Sequence, residues 1–219
     1  MPQAQARVWG ISLLFSAQVF QFQLNIHRIL GMKSTPEPRE RGTQDERFTR
    51  IAIIGNGGGG KTILARKIAM KRRLPITHVD SIQYLSGFEP RPEEETREIL
   101  NKVADENRWI IDGFGPLDVI ERRFERAQLI IFINFPIWRH YWWAAKRQAK
   151  SFWQPRSELP QGCREASIGH TIRLFKILSK VDEHIVPVLK KILSRKDLRD
   201  KVIEIHNPDE WKLIFEDQF

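Results

Sequence analysis

The residues best suited to chemistry lie in one short stretch, Gly55-Asn56-Gly57-Gly58-Gly59-Gly60-Lys61-Thr62. Its spacing satisfies G-x-x-x-x-G-K-[ST], the P-loop pattern. Glycines permit positive φ angles and bring successive backbone N–H groups onto phosphate oxygens, and the following helix adds the positive end of its dipole. We expect Lys61 to place its ammonium between the β- and γ-phosphates and the Thr62 hydroxyl to ligate Mg²⁺. The stretch therefore predicts a polyphosphate-binding site.

Two carboxylates come at the ends of apolar runs, Asp80 in "THVD" and Asp112 in "WIIDGFG". A parallel sheet presents its ligands at the carboxyl ends of its strands, so both side chains are expected near the P-loop. Asp112 is predicted to hold a Mg²⁺ water, and Asp80 to bind a phosphoryl acceptor or act as its base. The alternative for each is an Asx turn or a helix cap. We interpret His78 as a residue that makes a local hydrogen bond.

A cationic, aromatic segment, "WRHYWWAAKRQAKSFWQPR", spans residues 138–156. Its cations are Arg139, Lys146, Arg147, Lys150 and Arg156, and its tryptophans are Trp138, Trp142, Trp143 and Trp153. The segment could close over a bound nucleotide as a lid, which would bring Arg139 and Arg147 to the phosphates. It could also stack the bases of single-stranded nucleic acid. A third possibility is that Trp138 and Trp142 only pack a helix onto the sheet.

The elements that must position these residues alternate between short apolar runs and segments of helical period, which is typical of a parallel α/β sheet. The predicted strands are residues 50–55, 76–80, 108–112, 128–134 and 201–206. The predicted helices are residues 61–72, 92–107, 116–127 and 184–198. Apolar residues spaced three and four apart define the buried face of each helix. Leu117 and Val188 belong to these predicted faces.

Composition constrains the partners and the organisation of the chain. Thirty-six Lys and Arg against 27 Asp and Glu give a formal charge of +9 over 219 residues, which favours anionic partners. The single cysteine, Cys163, excludes an internal disulfide and fits a cytoplasmic location. Residues 1–49 are predicted to be an N-terminal extension and linker, and residues 50–219 the folded domain. The uncharged run at residues 8–27 leaves a membrane anchor or a cleaved signal as less favoured alternatives.

From about Arg50 to Phe215 the chain resembles the P-loop proteins called DNA topology modulation protein (FlaR-related), which are relatives of adenylate and shikimate kinases. The matching pieces are "IAIIGNGGGGKTILARKIA", "HVDSIQYLSGFEPRPEEE", "RWIIDGFG", "ERRFERAQLIIFINFP" and "QGCREAS". The resemblance implies a nucleoside-monophosphate-kinase-like fold, with a five-stranded parallel sheet, helices on both faces and a small lid. It also implies ATP and Mg²⁺ at Gly55 to Thr62, Asp80 in the acceptor region and Asp112 near the metal. Arg139, Lys146 and Arg147 would lie in the lid region.

The chain departs from the pattern of this family at three positions. Leu117 lies near the place of a usual arginine after Asp112-Gly113, and Asn134 and Ile137 stand where the family has Asp and Arg. Losing one fixed charge-stabilising donor typically costs on the order of 10²–10³ in rate. We expect transfer to be weakened unless Arg122, Arg123 or Arg139 compensates.

These observations predict a Mg²⁺-dependent phosphotransferase that acts on a nucleotide or another small metabolite. Two alternatives remain: a nucleic-acid-associated P-loop ATPase, and a nucleotide sensor that has lost catalysis. The sequence does not identify the acceptor, because acceptor pockets are built from scattered residues without a spacing rule.

Overall fold

The computed structural model describes residues 48–151 and 168–217. Residues 1–47 of the predicted N-terminal extension, Trp153, Arg156, Cys163 and the segment "QGCREAS" lie outside the described residues. Among the described residues, no helix combines the length and the apolar character needed to cross a bilayer.

The described residues form five strands and eight α-helices. The strands are β1 (Arg50–Gly55), β2 (Ile76–His78), β3 (Trp109–Asp112), β4 (Leu129–Ile133) and β5 (Val202–Ile205). The helices are α1 (Lys61–Arg72), α2 (Val79–Gln83), α3 (Glu93–Asp105), α4 (Leu117–Arg126), α5 (Ile137–Ser151), α6 (Ile168–Lys180), α7 (Val186–Leu193) and α8 (Pro208–Asp217). A π-helical turn, Val181–Ile185, connects α6 to α7.

All strand pairs are parallel, and the order across the sheet is β2-β3-β1-β4-β5. β1 is central and almost wholly buried, which explains its uninterrupted apolar sequence. The register pairs Ile53 of β1 and His78 of β2 with Asp112 of β3. The carboxyl ends of the three strands therefore meet beside the loop that follows β1.

Helices cover both faces of the sheet. On one face, Ala52 and Ile54 of β1 belong to a core that also contains buried residues of α3, α4 and α7. On the other, Leu64 and Ile68 of α1 are fully buried. Successive residues of a strand point to opposite faces, so an apolar central strand needs both layers. The predicted α/β fold, a five-stranded parallel sheet with helices on both faces, is confirmed, whereas its nucleoside-monophosphate-kinase-like type and the small lid stay predictions.

Helix faces agree with their predicted patterns except at two residues. Leu117 is 44% exposed, because it is the first residue of α4 and lies before the buried face of Val119, Ile120 and Phe124. Val188 is 41% exposed, because the buried residues of α7 are Val186, Leu189 and Leu193. Both assignments to the core are therefore wrong.

Three helices, α2, α6 and α8, lie in segments where the sequence predicts no helix. α8 begins with a capping arrangement in which Asn207 Oδ1 accepts hydrogen bonds from the backbone N–H groups of Asp209 and Glu210, both at 3.0 Å. In return Glu210 accepts the backbone N–H of His206 at 2.6 Å. This arrangement differs from a capping box in that Glu210 accepts the N–H of the residue before the cap and not that of Asn207 itself.

Candidate functional site

The loop after β1 has the conformation of an anion-binding nest. Gly58 and Gly60 have φ angles of 77° and 79°, which L-residues rarely adopt, and they alternate with residues of negative φ. Gly55 serves a different need, because a Cβ there would lie 2.3 Å from the Ile133 carbonyl oxygen of β4. The glycine run thus reflects backbone geometry and close approach by other parts of this chain, as well as room for a ligand.

Lys61 and Thr62 form the first residues of α1, and both side chains turn toward the loop and β3. Lys61 Nζ donates to the Asn56 carbonyl oxygen at 3.0 Å. The Thr62 hydroxyl donates to Asp112 Oδ2 at 2.7 Å. His78 Nδ1 lies 3.1 Å from the same carboxylate oxygen. The structure therefore brings together Lys61, Thr62, Asp112 and His78, of which His78 was not expected to take part.

Asp112 is ionised in this environment. It is 4% exposed. Burial alone would raise its pKa, but the hydrogen bond with His78, the charge of Lys61 and the Thr62 hydroxyl outweigh burial, and the pKa of Asp112 lies below its usual value of 3.8. Its second oxygen, Oδ1, is buried without a hydrogen-bond partner among the described residues. A buried carboxylate oxygen without a partner is costly and suits a ligand such as a metal-bound water.

The prediction that Asp80 ends a strand is wrong. β2 ends at His78, and Asp80 lies in the first turn of α2. The Ser81 hydroxyl donates to the His78 carbonyl oxygen at 2.7 Å, which helps to turn the chain from strand to helix. Asp80 still follows the carboxyl end of β2, two residues after the His78 that contacts Asp112. Burial raises the pKa of Tyr84, and the negative charge of Asp80 adds to this effect.

The segment from residue 138 begins as a regular helix, α5. Trp138 and Trp142 are 59% and 56% exposed, so the interpretation that they pack this helix onto the sheet is wrong. Trp143 instead packs edge-to-face on Phe135, with ring centroids 5.3 Å apart. The guanidinium of Arg139 lies 4.6 Å from the Trp138 ring, and Lys146 Nζ lies 5.1 Å from the Trp142 ring. Arg147 is on the same helix, but its side chain is outside the described residues.

The hypothesis that Arg122 or Arg123 supplies a missing phosphate-binding cation is not supported by their positions. Arg123 is 1% exposed, and its Nη2 donates to the carbonyl oxygens of Gly113 and Phe114 at 2.9 and 3.0 Å. Burial lowers the pKa of Arg123 to about 10, despite the nearby charge of Asp112. Arg122 pairs with Asp105 through two contacts of 3.0 Å. Both guanidinium groups therefore have structural partners, and Arg123 holds the turn that follows Asp112.

Asn134 and Ile137, two other departures from the family pattern, also have roles in the folded structure. Asn134 Nδ2 donates to Glu204 Oε1 of β5 at 2.6 Å, and the Asn134 backbone N–H donates to the Ile205 carbonyl oxygen at 2.8 Å. Asn134 thus extends the β4–β5 pairing. Ile137 begins α5 and is partly buried.

Sequence reasoning missed the contacts between the loop and helices α5 and α6. His140 Nδ1 lies 2.8 Å from the Gly57 carbonyl oxygen, and Asn56 Nδ2 donates to the Leu178 carbonyl oxygen at 2.9 Å. His140 and Asn56 are 1% and 2% exposed. Nothing in the spacing of these residues indicates the contacts, which join positions 83 and 122 residues apart.

A cleft of about 230 Å³ opens beside the turn after β3. Its lining has more apolar than polar surface and comes from α2, α3 and the loops next to them: Gln83, Tyr84, Pro90, Arg91, Glu93, Thr96 and Pro116. Arg91 is anchored by a 2.8 Å hydrogen bond from Nε to the Ile82 carbonyl oxygen and pairs with Glu95 at 3.3 Å. The cleft adjoins Pro116, four residues after Asp112.

No family model matches the chain, so the resemblance to DNA topology modulation proteins gains no support from that comparison. Among curated proteins, the signal recognition particle protein of Rickettsia prowazekii (strain Madrid E) is 30% identical over 79 residues. This match covers 36% of the chain and only 17% of that protein's length.

Among solved structures, the chain is similar to shikimate kinase from Acinetobacter baumannii in complex with shikimate, with 14% identity, coverage of 77% of this chain and 92% of that chain, and a TM-score of 0.48. Shikimate kinase from Bacteroides thetaiotaomicron is 16% identical, with coverage of 76% of this chain and 96% of that chain and a TM-score of 0.43. A gluconokinase from Sinorhizobium meliloti 1021 is 14% identical, with coverage of 65% of this chain and 98% of that chain and a TM-score of 0.34. At these values the likeness says nothing about a substrate.

Proposed function

We propose that this protein binds Mg·ATP at residues Gly55 to Thr62 and transfers a phosphoryl group to a small metabolite. The observation that carries the proposal is the contact of 2.7 Å between the Thr62 hydroxyl and Asp112, with a buried Asp112 oxygen left without a partner among the described residues. A P-loop hydroxyl and a strand-end carboxylate at this separation are the pair that holds Mg²⁺ in P-loop enzymes.

The residues present fit Mg²⁺ bound to a nucleotide. Mg²⁺ keeps several waters and takes one or two protein ligands together with phosphate oxygens. Thr62 and Asp112 supply hard oxygen donors, and Asp112 is already ionised at neutral pH because its pKa lies below its usual value. When bound, Mg²⁺ supplies the positive charge that stabilises the transferring phosphoryl group.

The chain's own residues perform the remaining tasks. The loop N–H groups hold phosphate oxygens, and the Lys61 ammonium exchanges its contact with Asn56 for the phosphates. Thr62 would hold Mg²⁺ through its hydroxyl, and Asp112 would hold it through a water. We assign Asp80 to the acceptor side, where it receives a hydrogen bond or the proton from the acceptor hydroxyl. We assign Arg139 and Arg147 to the nucleotide phosphates, as the cations of the predicted lid region.

The cleft next to Pro116 is the place we propose for the acceptor. Its volume of about 230 Å³ suits a small hydroxylated metabolite, and the few polar side chains on its mainly apolar lining can bind hydroxyl or carboxylate groups. The resemblance to DNA topology modulation proteins rests on the sequence motifs alone and does not identify the acceptor.

The test measures Mg·ATP binding and phosphoryl transfer by the full chain, with a panel of small hydroxy acids, sugars, nucleosides and nucleoside monophosphates as acceptors. Lys61→Ala is expected to abolish both activities. Lys71→Ala is the matched control, because Lys71 is an exposed residue near the end of the same helix, and it is expected to leave both unchanged. Equal binding by the wild type and Lys61→Ala would refute the proposal. Tight binding without transfer to any acceptor would instead favour a nucleotide sensor.

A second candidate function is suggested by the exposed indoles of Trp138 and Trp142, one helical turn apart and each beside a cation. Such a surface suits the bases and phosphates of single-stranded nucleic acid. Binding of an oligonucleotide should weaken steeply with salt and fall in the double variant Trp138→Ala/Trp142→Ala. Undetectable binding at low salt would exclude this function.

A further inference from the structure

Helices α5 and α6 pack directly on the outer side of the phosphate-binding loop. A Cβ on Gly57 would lie 2.8 Å from Leu178 Cδ2 of α6. One on Gly58 would lie 2.9 Å from the His140 carbonyl oxygen of α5, and one on Gly59 would lie 3.2 Å from His140 Cε1. The absence of side chains at three consecutive glycines therefore allows the two helices to lie close to the loop.

The His140 ring makes the most specific of these contacts. A carbonyl oxygen can only accept, so the hydrogen bond of 2.8 Å requires His140 Nδ1–H to donate to Gly57. The ring is surrounded by protein, and burial lowers the pKa of His140, which keeps the imidazole neutral at physiological pH.

This hydrogen bond determines the orientation of a peptide group in the loop. The C=O and N–H of a trans peptide point in opposite directions. Because the Gly57 carbonyl faces His140, the Gly58 N–H must point away from α5. A flip of the same peptide would instead turn a carbonyl dipole toward the bound anion, and glycine on both sides makes such a flip sterically easy.

We propose that His140 is a positioning residue of the phosphate-binding loop, which fixes the Gly57–Gly58 peptide so that its N–H serves the polyphosphate. The proposal rests on the proposed function and adds that α5 and the loop act as one unit. The loop residue Asn56 supports the same arrangement. Its Nδ2 donates to the Leu178 carbonyl oxygen of α6, and its Oδ1 accepts a hydrogen bond from the Gly57 N–H at 2.8 Å.

The test measures binding of Mg·tripolyphosphate, which contains no base, to the full chain by titration calorimetry. His140→Leu removes the donor and is expected to weaken binding by about tenfold, the effect of one lost hydrogen bond. His140→Asn places an amide N–H near the position of Nδ1 and should restore affinity to within about twofold of the wild type. Tyr141→Phe is the matched control, since it removes the hydrogen bond between Tyr141 of α5 and Ser179 of α6 without touching the loop.

The outcomes separate this inference from the proposed function. Wild-type binding that is lost in Lys61→Ala but unchanged in His140→Leu would overturn the positioning role alone. No binding by the wild type would overturn both. Equal weakening in His140→Leu and Tyr141→Phe would also overturn the inference, because it would show a general effect of loosening the helices.

If His140→Leu does not fold, a measurement on the wild type tests the proposal instead. Amide hydrogen exchange is followed in peptides that cover residues 56–61 and 138–145, with and without Mg·tripolyphosphate. If the loop and α5 act as one unit, the ligand slows exchange in both peptides. Protection of the loop without any change in α5 would overturn the inference.

Discussion

Alanine at Gly58 should destabilise the protein more than alanine at Gly87, although the two glycines have nearly the same φ angle. Their φ angles are 77° and 76°. A Cβ at Gly58 would lie 2.9 Å from the His140 carbonyl oxygen and 3.3 Å from the Ala144 backbone nitrogen, whereas nothing lies within 4 Å of a Cβ at Gly87. The pair therefore isolates the close approach of α5 to the loop.

The expected magnitudes follow from two costs. A left-handed conformation costs a non-glycine residue about 1–2 kcal/mol, and both variants carry this cost. Gly58→Ala also forces a carbon into the backbone of a packed helix, and such overpacking costs about 1–3 kcal/mol. The change in the unfolded chain is the same for both substitutions and cancels in the comparison.

The assay is equilibrium unfolding of the full chain in urea at 25 °C, with thermal melting as a second measurement. Gly58→Ala should lower the free energy of unfolding by about 1–3 kcal/mol more than Gly87→Ala does. For a domain of this size the difference corresponds to a melting temperature about 2–12 °C lower. Equal losses in the two variants would refute the reasoning, because they would show that α5 does not restrict the loop.

Three further predictions test other parts of the site and fold. The pKa of Asp112 is depressed, so its ionisation stabilises the folded state above about pH 4, and this contribution is lost as the pH falls through the folded-state pKa. The difference in free energy of unfolding between the wild type and Asp112→Asn should therefore shrink from pH 6 to pH 3 in urea titrations. A constant difference would contradict the depressed pKa. Arg123→Met should lower the free energy of unfolding by about 1–3 kcal/mol, because it leaves the carbonyl oxygens of Gly113 and Phe114 without their donor, and an unchanged urea midpoint would contradict that role. Asn207→Ala should cost about 1 kcal/mol by removing the cap of α8, whereas Asn207→Ser should retain most of the stability in the same assay.

The sequence predicted the main elements of the fold because their signals are local. β1, β3 and β4 are short apolar runs bounded by loops, and α1 follows the glycine loop at a fixed spacing. The P-loop pattern alone placed Lys61 and Thr62 at the start of α1, where the structure has them. Errors occurred where a local signal was ambiguous: "ITHVD" fits a strand, but the hydrogen bond of Ser81 to the His78 carbonyl oxygen accompanies a helix from Val79.

The sequence could not predict the partners of individual side chains at the site. His78 meets Asp112 because β2 and β3 pair in one particular register, and a shift of one residue would point it to the other face of the sheet. Trp138 and Trp142 have the spacing of a buried helix face, yet they are exposed and Trp143 packs inward instead. A helix of mixed aromatic and cationic residues does not indicate which side faces the core.

The glycine run shows most clearly which features the sequence determines and which depend on the tertiary structure. The sequence by itself determined that the backbone at residues 55–60 must come close to something, because five of these six residues lack a side chain. Only the tertiary structure decided what approaches: β4 at Gly55, α6 at Gly57, α5 at Gly58, and both β4 and α5 at Gly59. Local spacing can specify a loop conformation, since φ and ψ preferences belong to the residues themselves. Which distant helix then packs on that loop depends on the burial of apolar surface throughout the domain, and no short stretch of sequence contains that information.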